Sequence, residues 1–137
     1  MTGPLSRRGD GLRDTSALGR VLLGEPDATA VLRELAAFEI RVASRLSRLE
    51  LRRLALRAGL LADADRLLGG IALLPIDEGL LAAAETVEPA GIATLDGIHL
   101  VTALRLAHGG ELTAVVTYDA RLAAAARQHG LTVLEPA

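Results

Sequence analysis

The run TLDGIHLVTALRLAHGGELTAVVTYDARLAAAARQHGLTVLEP, residues 94–136, decides the fold class. Leu95–Ala107 carries apolar residues at helical spacing and stops at Gly109-Gly110. Thr113–Tyr118 (TAVVTY) is the clearest strand of the chain. Ala120–His129 is an Ala-rich helix stopped by Gly130, and Leu131–Leu134 is a last strand before Pro136. Strands separated by helices predict an α/β fold with a mainly parallel sheet, because parallel neighbours need a long crossover.

The same alternation extends upstream. Ser16–Leu23 reads as a short helix ended by Gly24, and Pro26 suits the first turn of a second one. Ile40–Ala43 is a short strand, and Leu46–Ala58 is a strong helix ending at Gly59. Ser47 and Glu50 have the spacing of a capping box at its start. Ala62–Leu68 is helical, Ile71–Ile76 is a strand demoted to the edge by Pro75, and Asp77–Val87 is a helix. Residues 1–10 read as a loose polar leader and Gly11–Arg13 as a weak first strand, so one domain is expected over 14–137. Arg13 puts a charge where a central strand wants an aliphatic residue.

Composition excludes several classes of function. The chain has 137 residues, enough for a single core, and 50% of them are hydrophobic. With no Cys, there is no disulfide scaffold, zinc-thiolate site or cysteine nucleophile. All 15 basic residues are Arg, which removes the P-loop lysine and Schiff-base chemistry. One Phe, one Tyr and no Trp exclude a base-stacking aromatic platform. The net charge of −2 leaves nucleic-acid binding to a local basic face. Arg7-Arg8 is not followed by the apolar region of a twin-arginine signal, and no run approaches the ~18 apolar residues of a membrane span. A cytoplasmic protein is the expectation.

Four acids stand where sites form in such folds. Asp14 and Asp119 follow candidate strands, Glu50 lies on the long helix, and Asp96 lies in the first turn of another. Taken singly, helix caps, a helix dipole and a Glu50–Arg53 pair explain them. Taken together, carboxylates converging on one rim of a parallel sheet would repel one another, and a hard divalent cation resolves that conflict.

The four segments resemble the motifs of the PIN-domain family, most closely its VapC-type toxins. DTSAL at 14–18 is similar to the first acidic motif, Ser44 through Glu50 to an S-x5-E segment, TLDGIHLVTAL at 94–104 to the third, and TYDARL at 117–122 to the last. The resemblance runs from Asp14 to Pro136. It implies a PIN-like three-layer α/β/α domain with strand order 3-2-1-4-5. It implies a metal-dependent endoribonuclease in which Asp14, Glu50, Asp96 and Asp119 bind one or two Mg2+ or Mn2+ ions that activate water, leaving 5′-phosphate and 3′-hydroxyl ends. Thr15, Ser16 and Thr117 would support that cluster. A VapB-type antitoxin and an RNA of the tRNA or rRNA class are the implied partners.

Other residues carry smaller expectations. Arg45, Arg48 and Arg52 share one helix face and read as a solvated stripe, whereas Arg53 and Arg57 lie on the Glu50 face and could contact RNA phosphates. His99, three residues after Asp96, reads as a hydrogen-bonded, partly buried side chain, and His108 and His129 as dipole partners at helix ends. Tyr118 reads as a packing residue. Aliphatic-rich helices at 28–37 and 46–68 suggest a homodimer. A non-catalytic PIN-like binding or scaffold module is the competing reading. A small-molecule phosphohydrolase of the aspartyl-phosphate type is disfavoured by the missing Lys.

Overall fold

The computed structural model describes residues 7–13, 15–26, 28–36, 38–110 and 112–135. In chain order the elements are β1 (Arg7–Arg13), α1 (Thr15–Leu22), α2 (Ala28–Ala36), β2 (Phe38–Ser44), α3 (Arg45–Ala58), α4 (Leu61–Leu68) and β3 (Ala72–Leu74). These are followed by α5 (Glu78–Ala84), α6 (Thr94–His108), β4 (Leu112–Val116), α7 (Ala120–Gln128) and β5 (Val133–Leu134). The strands form one parallel sheet of order β3-β2-β1-β4-β5, the order implied by the resemblance.

Both faces of the sheet are covered, which is why its central strands can be apolar on both sides. Ala43 of β2 packs with Leu18 of α1, Leu51 and Ala55 of α3, and Ala64 and Leu68 of α4. Ala114 and Val116 of β4 meet Ala17 of α1 on that same side. The alternate residues Val42 and Val115 pack against Ala103 and Leu106 of α6. Leu100 of α6 joins Leu122, Ala125 and Ala126 of α7 to complete the second helical layer.

The first strand is longer than the sequence suggests. RRGDGLR has little strand propensity, yet β1 lies at the centre of the sheet between β2 and β4. Its register slips against β2 between Arg7 and Asp10 and against β4 between Asp10 and Gly11. From Gly11 to Arg13 it is regular on both sides, with Arg13 level with Ala43 and with Val116. Backbone pairing to two neighbours thus overrides side-chain propensity, and the Gly-Asp-Gly stretch absorbs the irregularity.

Two of the expected glycine stops have an explicit mechanism. Gly59 (φ 71°) and Gly130 (φ 81°) adopt the left-handed conformation after α3 and α7. In each case the following amide reaches back five residues: Leu60 N–H donates to the Ala55 carbonyl (2.8 Å) and Leu131 N–H to the Ala126 carbonyl (3.0 Å). Among the described residues no helix is long and apolar enough to cross a membrane.

Candidate active site

The chain leaves β1 toward β2 on one side, and β4 flanks β1 on the other, so the order of the sheet reverses at β1. Such a switch point opens a crevice at the carboxyl ends of the strands. Because Arg13 is level with Ala43 and Val116, the next residues of β2 and β4, Ser44 and Thr117, reach this rim together. Asp14 follows Arg13 in the sequence and lies outside the described residues, as does the side chain of Thr15.

Ser16, Thr117 and Asp119 form one connected corner. Ser16 Oγ accepts the Tyr118 amide at 2.8 Å and stands 3.2 Å from Thr117 Oγ1, which itself accepts the Asp119 amide at 3.0 Å. Asp119 is the N-cap of α7: its Oδ1 accepts the amides of Arg121 (2.9 Å) and Leu122 (3.1 Å). The start of α1 is thereby tied to the end of β4, and the Asp119 carboxylate is held at the rim.

Glu50 is held from a different element. His99 of α6 is 3% exposed, and its Nε2 lies 2.9 Å from Glu50 Oε1, while its Nδ1 lies 3.4 Å from Ser44 Oγ. Ser44, and not Ser47, caps α3, accepting the amides of Leu46 (3.1 Å) and Ser47 (3.4 Å). The capping box expected from Ser47 and Glu50 is therefore absent. The helix begins at Arg45, which puts Ser47 inside it, buried, and leaves Glu50 engaged with His99.

Asp96 is half-buried in the first turn of α6, one turn before His99, where a negative charge is favourable at the helix N-terminus. Glu50, through His99 and Ser44, is thus tied to the end of β2, and Asp119 to the end of β4. A carboxylate offers about four acceptor positions, more than one or two anchoring bonds use, and an oxygen-only donor set suits a hard divalent cation. Among the described residues, no three acidic or histidine side chains are gathered closely enough to hold an ion.

A family model described as PIN domain matches residues 12–128. The chain belongs to the PIN-domain family. It is 39% identical over 130 residues to ribonuclease VapC47 of Mycobacterium tuberculosis, with 90% of this chain and 94% of that protein covered. Two solved structures share the fold at low identity. A toxin–antitoxin complex from Klebsiella pneumoniae gives a TM-score of 0.71 at 18% identity, covering 93% of this chain and 98% of its own. M. tuberculosis VapC20, described as a sarcin–ricin loop cleaving toxin, gives 0.69 at 15%, covering 92% and 99%.

The surroundings of the rim in this PIN domain are mixed. Arg53 and Arg57 are exposed on α3, the helix that carries Glu50. The arginine stripe is not purely solvated, since Arg52 pairs with Asp65 of α4. Arg45, Arg48 and Arg53 border an open depression floored by Leu49, Leu56 and Leu61. Tyr118 packs beside Ala17 and Val116, with the Arg20 guanidinium 4.5 Å from its ring centroid. That stacking was not legible, because the two residues are far apart in the sequence. His129 does more than face a helix end, as its Nε2–H donates to the Glu88 carbonyl at 2.7 Å.

Proposed function

We propose that this PIN domain is a Mg2+- or Mn2+-dependent endoribonuclease toxin, held in check by a cognate VapB-type antitoxin. The observation that carries the reading is the anchoring of Glu50 and Asp119 by separate hydrogen bonds beside the switch point of a parallel sheet. Its 39% identity to a named ribonuclease supports the substrate class.

Asp14, Glu50, Asp96 and Asp119 would hold the cation. When bound, it supplies charge neutralisation at the phosphodiester and a more acidic water. The chain's own residues do the rest. His99 fixes the direction of Glu50, and the Ser16–Thr117 corner fixes the β4–α7 turn that presents Asp119. Thr15 belongs to the same support by its place at the start of α1. Arg53 and Arg57 offset the repulsion between an acidic rim and RNA phosphates. The substrate is a structured RNA of the tRNA or rRNA class, the compartment is the cytoplasm, and the chain pairs as a homodimer.

The test is cleavage of purified tRNA and rRNA by the folded protein with Mg2+ or Mn2+. Cleavage lost on chelation and in Asp96→Asn is the expected result. A folded, metal-replete protein inert toward both RNA classes would favour the scaffold reading.

A further inference from the structure

We propose that His99 is a positioning residue, locked in its Nε2–H tautomer, that aims the Glu50 carboxylate. The positioning role rests on the reading of Glu50 as a metal ligand, whereas the tautomer follows from hydrogen-bond counting alone.

A serine hydroxyl has two acceptor positions and one proton. Ser44 Oγ spends both acceptor positions on the amides of Leu46 and Ser47 in the first turn of α3. Its proton is then directed at the remaining partner, His99 Nδ1. A neutral imidazole whose Nδ1 accepts carries its proton on Nε2. That proton faces Glu50 Oε1, which can only accept when ionised.

The bonds therefore run in one direction. Amides of α3 donate to Ser44, Ser44 donates to His99, and His99 donates to Glu50. The relay starts and ends on α3 but passes through α6, so it fixes Glu50 relative to the helix that carries Asp96. Burial of the imidazole at 3% exposure excludes water from competing for either nitrogen. A core histidine without this role would need no carboxylate at its outer nitrogen.

The two arms can be separated chemically. His99→Gln places an amide N–H near the Nε2 position and keeps the Glu50 arm. His99→Asn places a carbonyl oxygen near the Nδ1 position and keeps only the Ser44 arm. Both variants are first checked by circular dichroism for a native fold.

Nitrogen-15 spectra of the metal-free protein are the first readout, and with three histidines in the chain the His99 signals are assigned by loss in the variants. A protonated Nε2 and bare Nδ1 are expected in the neutral ring, and the opposite tautomer overturns the relay. Mn2+ calorimetry is the second. His99→Asn should weaken binding about 10–100-fold, as loss of an outer-shell partner does. His99→Gln should stay near the native affinity, and His99→Asn should cost nothing further in a Glu50→Gln background. Native affinity in a folded His99→Asn protein overturns the positioning role while leaving the metal site intact. A native protein that binds no Mn2+ overturns the metal reading and the positioning role with it, and the tautomer is still decided by the spectra.

Discussion

Ser44→Ala should destabilise the protein by far more than a surface cap would. Ser44 is 1% exposed and joins two structural roles. As the N-cap of α3 it serves two amides, and losing such a cap costs about 1 kcal/mol. As the donor to His99 it satisfies a buried ring nitrogen, and leaving that acceptor unpaired costs a further ~1–3 kcal/mol. The expected total is about 2–4 kcal/mol, a drop of roughly 10 °C in melting temperature for a domain of this size. The assay is urea unfolding followed by far-ultraviolet circular dichroism, since the chain has no Trp. The decisive version repeats it in a His99→Leu background, where only the cap is left to lose. There the cost of Ser44→Ala should fall to about 1 kcal/mol, a coupling that independent sites do not show. Equal costs in both backgrounds, or a cost below about 0.5 kcal/mol in the native one, would refute the linkage of cap to histidine.

Three further outcomes follow from local geometry. Thr117→Val removes a fully buried hydroxyl that accepts the Asp119 amide and bonds Ser16, and should cost ~1–3 kcal/mol by urea unfolding; a neutral effect would mean the β4–α7 corner does not depend on it. Gly97→Ala should stabilise α6 by roughly 0.5–1 kcal/mol, because a Cβ there meets only ordinary contacts, the nearest being Val87 Cγ1 at 3.6 Å; a lower melting temperature would contradict this. Arg105 beside Asp77, together with the Leu80 amide, holds the Asp77 carboxyl below its usual 3.8. A lowered folded-state pKa means stability present above that value and lost as pH falls through the lower one. Asp77→Asn should therefore reduce stability at pH 6 and flatten its acid dependence as pH falls below the usual 3.8, and an unchanged acid profile would count against the pair.

Much of the architecture was legible because helices and glycine stops are local. The 94–136 run shows this: α6, β4, α7 and β5 fall within a few residues of their periodic signals. Only the end of β1, Gly11–Arg13, was legible, and then as a weak strand; RRGDGLR gains its full length from the strands on either side and not from its own strand propensity. The acids were singled out by their position after strands, in a first turn or on the long helix; the structure ties Glu50 to His99 and makes Asp119 the N-cap of α7, and no three acidic or histidine side chains gather among the described residues. What holds them was less visible. The Ser16–Thr117 bond joins residues 101 apart, and the His99–Glu50 bond joins residues 49 apart. Partners at such separations leave no periodic trace, whereas the helix cap was missed by only three residues, because Ser44 and Ser47 are both plausible caps until the end of β2 is fixed.

The central claim is that the acidic rim is a divalent-metal site. Mn2+ binding by calorimetry, comparing the native protein with Asp96→Asn, tests it most directly. Saturable binding by the native protein that is abolished or weakened at least about tenfold in the folded variant is the expected result. A folded native protein that binds no Mn2+, or an Asp96→Asn variant that binds it equally well, would contradict the account.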